Sequence, residues 1–175
     1  SKEQRTSFRR FCTEHQVWLD DFALFMALKE EHNLQPWYEW EDELKQRDES
    51  ALNRARKQLA DKIENQKYRQ WQFFDQWLAI KKYANERGIR IIGDIPIFVA
   101  YDSAEVWASP HLFHLDKDLK PTIVSGVPPD YFSKDGQLWG HPHYRWNVMA
   151  KDDYAWWIER FKMAFTQTDV VSIDH

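Results

Sequence analysis

The order of the elements predicted from this 175-residue sequence indicates an α/β fold. An apolar, β-branched run at residues 89–99 directly follows a long helical segment and has the composition of a buried parallel strand. A second such run, residues 169–174, follows a helical stretch at residues 151–167. Two strands joined through a helix pair in parallel by a right-handed crossover. The second half of the chain is therefore predicted to be α/β.

The first half of the chain is predicted to be helical. Residues 17–31 carry apolar side chains at helical spacing, and Asp20 or Asp21 is the candidate N-cap. Residues 33–40 are crowded with aromatic rings and interrupted by a proline, which ends this helix.

Residues 50–88 contain no internal glycine or proline, so they are predicted to form one long helix or two joined helices that end at Gly88. The second part is apolar around most of its circumference, and this pattern predicts burial between layers. Its apolar residues are Tyr68, Trp71, Phe73, Phe74, Trp77, Leu78, Ile80 and Tyr83.

A long segment with little periodicity, residues 100–146, follows the first predicted strand, and long irregular segments are usually functional. Within it, residues 126–146 combine glycine and proline hinges with rings suited to stacking on sugars. These rings are Tyr131, Phe132, Trp139, Tyr144 and Trp146. The same composition also fits rings that bury the loop against the domain, and composition alone does not decide between the two.

Charge and composition exclude several classes of partner. With 24 Lys plus Arg against 28 Asp plus Glu, the chain has no basic face for nucleic acid. The longest apolar stretch, residues 22–28, is too short to span a membrane, and the first residues lack a signal-peptide core. The single cysteine, Cys12, fits a reducing compartment, so the cytoplasm is the expected location.

No metal or cofactor is predicted either. The seven histidines form no recognisable ligand set, and the glycines form no nucleotide-binding motif. The chain stops directly after the second predicted strand with nothing following to cover it, so we expect a truncated domain.

Two acids mark the predicted strands. Asp94 and Asp174 follow apolar runs at what the sequence predicts to be equivalent carboxyl ends, where parallel α/β folds bind ligands. The period of two places Ser172 with Asp174 on one face and Val171 with Ile173 on the other. Either acid could instead cap a turn, and two acids at equivalent strand ends leave both interpretations open.

Three motifs make the chain resemble the 4-alpha-glucanotransferases, also called amylomaltases or disproportionating enzymes. They are GDIPIFVAYDSAEVW at residues 93–107, GVPPDYFS at 126–133 and IDH at 173–175. The resemblance extends across nearly the whole chain and is weakest over residues 1–16.

The resemblance implies a fragment of a (β/α)8 TIM barrel with helical insertions. Residues 1–87 would supply the helical insertion and barrel helices, and residues 88–175 the barrel strands with the aromatic substrate loop. The implied activity transfers α-1,4-linked glucan segments from a malto-oligosaccharide to the 4-hydroxyl of another glucan by a retaining double displacement. The family's general acid/base lies beyond His175, so the chain alone is expected to be inactive.

The resemblance also implies roles for individual residues. Asp174 matches the nucleophile, Asp94 a donor-site acid and His175 the residue after the nucleophile. The family's mobile loop matches residues 128–136, where Tyr131 and Phe132 would contact the acceptor, with Trp139 close by. A lid of this kind excludes water from the covalent intermediate and so favours transfer over hydrolysis.

The sequence departs from the family pattern at Ser172, where an arginine is expected two residues before the nucleophile. A serine replaces charge-assisted hydrogen bonds with one neutral donor, so weakened activity is predicted even in a complete protein. Softer departures are Tyr101, where relatives often have an acid, and His141, where asparagine is usual. An α-glucan hydrolase and a non-catalytic glucan-binding remnant therefore stay open as alternatives.

Overall fold

The computed structural model describes residues 2–174, and the chain divides into two compact units at the boundary between Arg87 and Gly88. The first unit is helical. Its helices are α1 (Lys2–Glu14), α2 (Gln16–Glu31), α3 (Asp42–Lys45), α4 (Glu49–Gln58) and α5 (Ala60–Asn85), with a 3-10 turn at Trp37–Glu39. None of the helices within residues 2–174 has the length and apolar character needed to cross a membrane.

Helix α2 begins earlier than the sequence predicted. It starts at Gln16, just after α1, and no side chain caps its first turn. Asp20 and Asp21 therefore lie inside the helix and do not cap it. Both form ion pairs instead: Asp21 accepts a hydrogen bond of 2.7 Å from Arg47, and Asp20 pairs with Lys67. An acid near the start of an apolar stretch is typical of a helix N-cap, and the sequence did not show that Asp20 and Asp21 pair with residues far along the chain.

The segment 50–88 forms two joined helices, which was one of the two predicted arrangements. Leu59 separates α4 from α5, and Gly88 follows in a left-handed conformation, with φ of 73°. Trp71 and Phe74 are buried on the side of α5 that faces α1 and α2. The prediction that the second part of this segment is buried between layers is wrong within the described residues.

Several apolar side chains of α5 remain exposed because α1, α2 and α4 cover only part of its circumference. They are Tyr68, Phe73, Leu78, Ile80 and Tyr83. Apolar residues around most of a helix therefore indicate that it packs against other elements, but they do not show which of its sides those elements cover.

The second unit contains the predicted parallel strands. Its elements are β1 (Ile92–Pro96), α6 (Ala104–Ala108), β2 (Val124–Val127), β3 (Gln137–Pro142), α7 (Trp146–Met149), α8 (Ala155–Gln167) and β4 (Val170–Asp174). Strands β1 and β4 pair in parallel, and α8 packs on both. This confirms the mixed helix-and-strand character and the parallel pairing predicted from the order of elements.

The segment 100–146 is less irregular than the sequence indicated. It includes an antiparallel pair, β2 and β3, with a register irregularity between Val124 and Gly126. A Cβ on Gly126 would lie 2.6 Å from the carbonyl oxygen of Gln137, so only glycine permits this close strand approach. The prediction missed the pair because its strands are short and rich in glycine and proline.

Candidate active site

The parallel strands present both predicted acids on the same face. Asp94 lies opposite Ser172 in the register, and Asp174 lies two residues further along β4. All three are exposed, whereas Ile95, on the opposite face of β1, is buried. From strand geometry, the Cα atoms of the two aspartates are roughly 8 Å apart. This face, defined by Asp94, Ser172 and Asp174, is called the acid face below.

The sequence predicted that the two acids stand at equivalent strand ends, and the structure shows that they do not. Strand β1 continues through Ile95 and Pro96, so Asp94 lies in mid-strand, and Asp174 pairs with Pro96. A terminal proline is compatible with this pairing because it loses only its own N–H donor. The acids consequently share a face but sit at different levels along the strand direction.

Backbone hydrogen bonds fix the level of Asp174. The amide of Ile97, the first residue beyond β1, donates to the carbonyl oxygen of Asp174 at 2.7 Å. At the other end of the strand pair, the Ile91 amide donates to the Asp169 carboxylate at 2.8 Å. The register that sets the acid face is therefore held at both ends.

Two side chains hold the carbonyl groups at the end of β1. The Tyr144 hydroxyl donates to the Ile97 oxygen at 2.7 Å, and Arg160 donates to the Pro96 oxygen at 2.6 Å. The guanidinium also donates to the Tyr144 hydroxyl at 3.1 Å, which links the two groups. Arg160 was not among the residues predicted from the sequence; an arginine one helical turn beyond Trp156 and Trp157 was the available signal.

Tyr144 belongs to the core and not to a sugar-binding surface. Its side chain is 2% exposed, and burial raises the pKa of its hydroxyl to about 12. The rings around it are Phe98, Phe113, Trp146, Trp156 and Trp157. Burial against the domain, which composition had left open, is therefore the correct interpretation for this residue.

The loop 128–136 connects β2 to β3 and displays two rings. Tyr131 and Phe132 are 97% and 89% exposed and form an edge-to-face pair with centroids 5.6 Å apart. Trp139, on β3, is 37% exposed, and its indole N–H donates to Gln137 at 3.1 Å. The predicted acceptor-binding rings therefore share one hairpin.

Local hydrogen bonds shape this loop. The Asp130 carboxylate accepts from the amides of Phe132 and Ser133 at 2.9 and 2.8 Å. The Ser133 hydroxyl donates to the Gly136 oxygen at 2.6 Å, and Gly136 adopts a φ of 73°. These bonds fix the turn from which the two exposed rings project.

The histidines of the hairpin serve local contacts. The His141 Nδ1 lies 3.1 Å from the buried Ser125 hydroxyl, and Phe98 lies against the rings of His141 and His143. Within residues 2–174, no group of three His, Cys, Asp or Glu side chains is placed to hold a metal ion. His175, predicted to follow the nucleophile, lies outside the described residues.

Comparison with solved structures supports the fold. A structure of amylomaltase from Streptococcus agalactiae in complex with acarbose matches with a TM-score of 0.94 and 42% identity, covering 100% of this chain and 35% of that one. Amylomaltase from Corynebacterium glutamicum matches with a TM-score of 0.72 at 21% identity, which supports the fold alone.

Comparison with curated proteins finds relatives named 4-alpha-glucanotransferase. The protein from Thermus thermophilus is 50% identical over 175 residues, covering 100% of this chain and 35% of the relative. The protein from Aquifex aeolicus is 47% identical, covering 97% of this chain and 36% of the relative. The chain thus spans about a third of the length of these relatives. A family model described as 4-alpha-glucanotransferase matches residues 1–175, and the chain belongs to that family.

Proposed function

We propose that this chain is part of a (β/α)8-barrel enzyme that transfers α-1,4-linked glucan segments between malto-oligosaccharides. The observation that carries the proposal is the acid face: Asp94 and Asp174 lie exposed on one side of a parallel strand pair on which α8 packs. A barrel places its strands with helices outside and its reactive groups toward the carboxyl ends. Residues 1–87 would then form the helical insertion and barrel helices, and 88–175 the strands and substrate loop.

Asp174 is proposed as the nucleophile of a retaining double displacement. Its carboxylate oxygen would attack the anomeric carbon, and the glycosidic C–O bond would break as a general acid protonates the leaving oxygen. The acceptor 4-hydroxyl would then lose its proton to the same group, attack the anomeric carbon and release Asp174. Such a partner sits about 5 to 5.5 Å from the nucleophile. Because the family's acid/base follows the matched segment, we expect residues 1–175 alone to be inactive.

The remaining proposed site residues bind substrate. Asp94 would accept hydrogen bonds from hydroxyl groups of the donor sugar, and His175 would contribute beside the nucleophile. The exposed rings of Tyr131 and Phe132, with Trp139 on the same hairpin, would stack on the acceptor. By covering the cleft, the loop 128–136 would exclude water, which favours transfer to a sugar.

Product analysis tests the proposed function. The complete protein that contains this chain is incubated with maltotriose, and the products are resolved by chain length. Glucose together with a ladder of longer oligomers is expected for transfer. Glucose and maltose with nothing longer would identify a hydrolase instead. Saccharide binding without any product would identify a glucan-binding remnant, an alternative that the exposed Ser172 on the acid face favours.

Two matched variants assign the chemistry to a residue. Asp174→Asn keeps the size of the side chain but removes the nucleophile, so product formation should fall by at least about 10³-fold while saccharide binding survives. Asp152→Asn makes the same change at an exposed acid in the turn after α7 and should leave the product ladder intact. Equal activity of both variants would contradict the role proposed for Asp174.

A further inference from the structure

We propose that Tyr144 and Arg160 act as positioning residues for Asp174, by clamping the end of β1 to which the backbone of Asp174 is bonded. The inference rests on the proposed role of Asp174 as nucleophile. Neither residue is on the acid face: Tyr144 is buried in the aromatic core, and Arg160 lies on α8, which packs on the strands. Their influence on Asp174 passes through Pro96 and Ile97.

The connection consists of a few hydrogen bonds. Asp174 is the last described residue of β4, and its carbonyl oxygen accepts from the Ile97 amide at 2.7 Å. The carbonyl of the same Ile97 accepts from Tyr144, also at 2.7 Å, while Arg160 holds the preceding carbonyl, that of Pro96, at 2.6 Å. A shift of the 96–97 backbone would therefore move its hydrogen-bond partner on Asp174.

Further contacts hold the Arg160 side chain of this clamp, which consists of Tyr144 and Arg160. The Arg160 guanidinium lies 4.9 Å from the ring centre of Trp157 and 5.4 Å from that of Trp156, a cation–π arrangement with two rings. Its planar fork reaches the Pro96 oxygen and the Tyr144 hydroxyl at once, a geometry that the single ammonium group of a lysine does not reproduce. Because the Tyr144 hydroxyl accepts from Arg160, its own proton is directed toward the Ile97 oxygen.

Positioning of this kind affects the reaction more than substrate binding. An attacking carboxylate must approach the anomeric carbon within a narrow range of distance and direction, and a misplacement of about 1 Å can reduce the rate about 100-fold. Among the described residues, the side-chain donors to the Pro96 and Ile97 carbonyls are Arg160 and Tyr144 and not the rings proposed to bind substrate. Loosening the clamp should therefore lower kcat and leave KM close to its original value.

The test compares Tyr144→Phe with wild type in the complete protein. Phenylalanine keeps the ring and its packing and removes only the hydroxyl. The expected result is a kcat for maltotriose disproportionation lowered ~10-fold, with KM within about 2-fold. Hydrogen exchange at the Ile97 amide should accelerate, also ~10-fold, because its bond to Asp174 opens more often. Arg160→Lys is a second variant with the same expected direction.

Arg145→Lys is the matched control. The Arg145 guanidinium also donates to a backbone oxygen in this unit, that of His111 at 3.4 Å, and this carbonyl lies outside β1 and the 96–97 backbone. This variant should keep wild-type kcat and wild-type exchange at Ile97.

The outcomes separate the inference from the proposed function. Wild-type kcat in Tyr144→Phe, or lowered kcat with unchanged exchange at Ile97, would overturn the positioning role. A complete wild-type protein without turnover would instead overturn the proposed function, and the positioning role with it. If the wild type shows no turnover, faster exchange at Ile97 in Tyr144→Phe would show that Tyr144 holds the end of β1 without a role in catalysis.

Discussion

Ser172 is the residue of the acid face that departs from the expected family pattern. It stands opposite Asp94 in the register and two residues before Asp174, so a long side chain at this position would lie beside both carboxylates. The arginine expected from the family pattern would donate charge-assisted hydrogen bonds to them, whereas serine offers one neutral hydroxyl.

We predict that Ser172→Arg raises the transferase activity proposed for the complete protein. A guanidinium between the two carboxylates should orient the proposed nucleophile and increase kcat ~10-fold, which corresponds to about 1.4 kcal/mol of barrier. The measurement is the initial rate of glucose release from maltotriose. Ser172→Gln supplies length without charge and should give no increase; an equal gain in both variants would show that charge is not the cause.

Ionisation of the buried Tyr144 hydroxyl is predicted to lower the free energy of unfolding at high pH. Burial raises the pKa of its hydroxyl from the usual value near 10 to about 12, so the folded protein keeps a proton that the unfolded chain has already lost. The contribution is fully present below a pH of about 10 and is lost as the pH rises from about 10 to about 12, by up to ~3 kcal/mol.

Denaturant unfolding of wild type and Tyr144→Phe between pH ~9 and ~12 measures this loss. The free energy of unfolding of wild type should fall relative to that of Tyr144→Phe as the pH rises, because the phenylalanine variant has no hydroxyl to ionise at this site. A difference that stays constant across this range would contradict the assigned pKa.

At the scale of elements, the β2–β3 hairpin depends on a glycine. A Cβ on Gly136 would lie 2.4 Å from the Val127 oxygen, and the residue has a φ of 73°. Gly140 has a similar φ of 77°, but a Cβ added there would meet no atom of the described residues within 4 Å. An added Cβ would therefore cause backbone strain at both glycines but a steric clash only at Gly136.

We predict that Gly136→Ala disrupts the loop 128–136 and Gly140→Ala does not. Both changes carry a strain of about 1 kcal/mol from the left-handed conformation, but only the first forces the backbone to move. In the complete protein, Gly136→Ala should raise the ratio of hydrolysis to transfer at least ~3-fold, because a displaced lid admits water. Chain-length analysis of the maltotriose products provides the ratio, and equal ratios in the two variants would contradict a lid role.

The elements differ in how far the sequence predicted them. Strands β1 and β4 lie within the predicted runs because a continuous apolar, β-branched composition is typical of parallel strands, a pattern that survives in a single sequence. The burial that this composition also predicted is not observed, since Ile95 is the one buried residue of the two strands as described. Helix α1, which begins at Lys2, and the β2–β3 pair were missed. The pair forms through contacts that its short strands, interrupted by Gly126 and Gly140, do not encode in their periodicity.

For the molecule as a whole, exposed apolar surface predicts self-association of the 175-residue chain. Helix α5 exposes Phe73, Ile80 and Tyr83, and Ile92 is exposed on β1. Burying such apolar surface by association lowers the free energy of the system. Sedimentation velocity should therefore show a sedimentation coefficient that rises with protein concentration.

A double variant tests which surface associates. Phe73→Lys with Ile80→Lys should shift the chain toward monomer, because charges on α5 oppose its burial. Val17→Lys places a charge at an exposed apolar residue of α2 and is the control. A chain that sediments as a monomer at every concentration would contradict the prediction, and an equal effect of the control would place the contact elsewhere.

The sequence by itself determined the parallel strand pair, the shared face of Ser172 and Asp174 on one strand and the ring-rich loop that carries Tyr131 and Phe132. Each follows from local periodicity or composition, which a single chain segment contains. Only the tertiary structure decided the offset of the two acids, the burial of Tyr144 and the hydrogen bonds of Arg160. These features depend on strand register and on contacts with residues distant in the chain. Local sequence preferences do not determine them, because they follow from the interactions between elements in the folded protein.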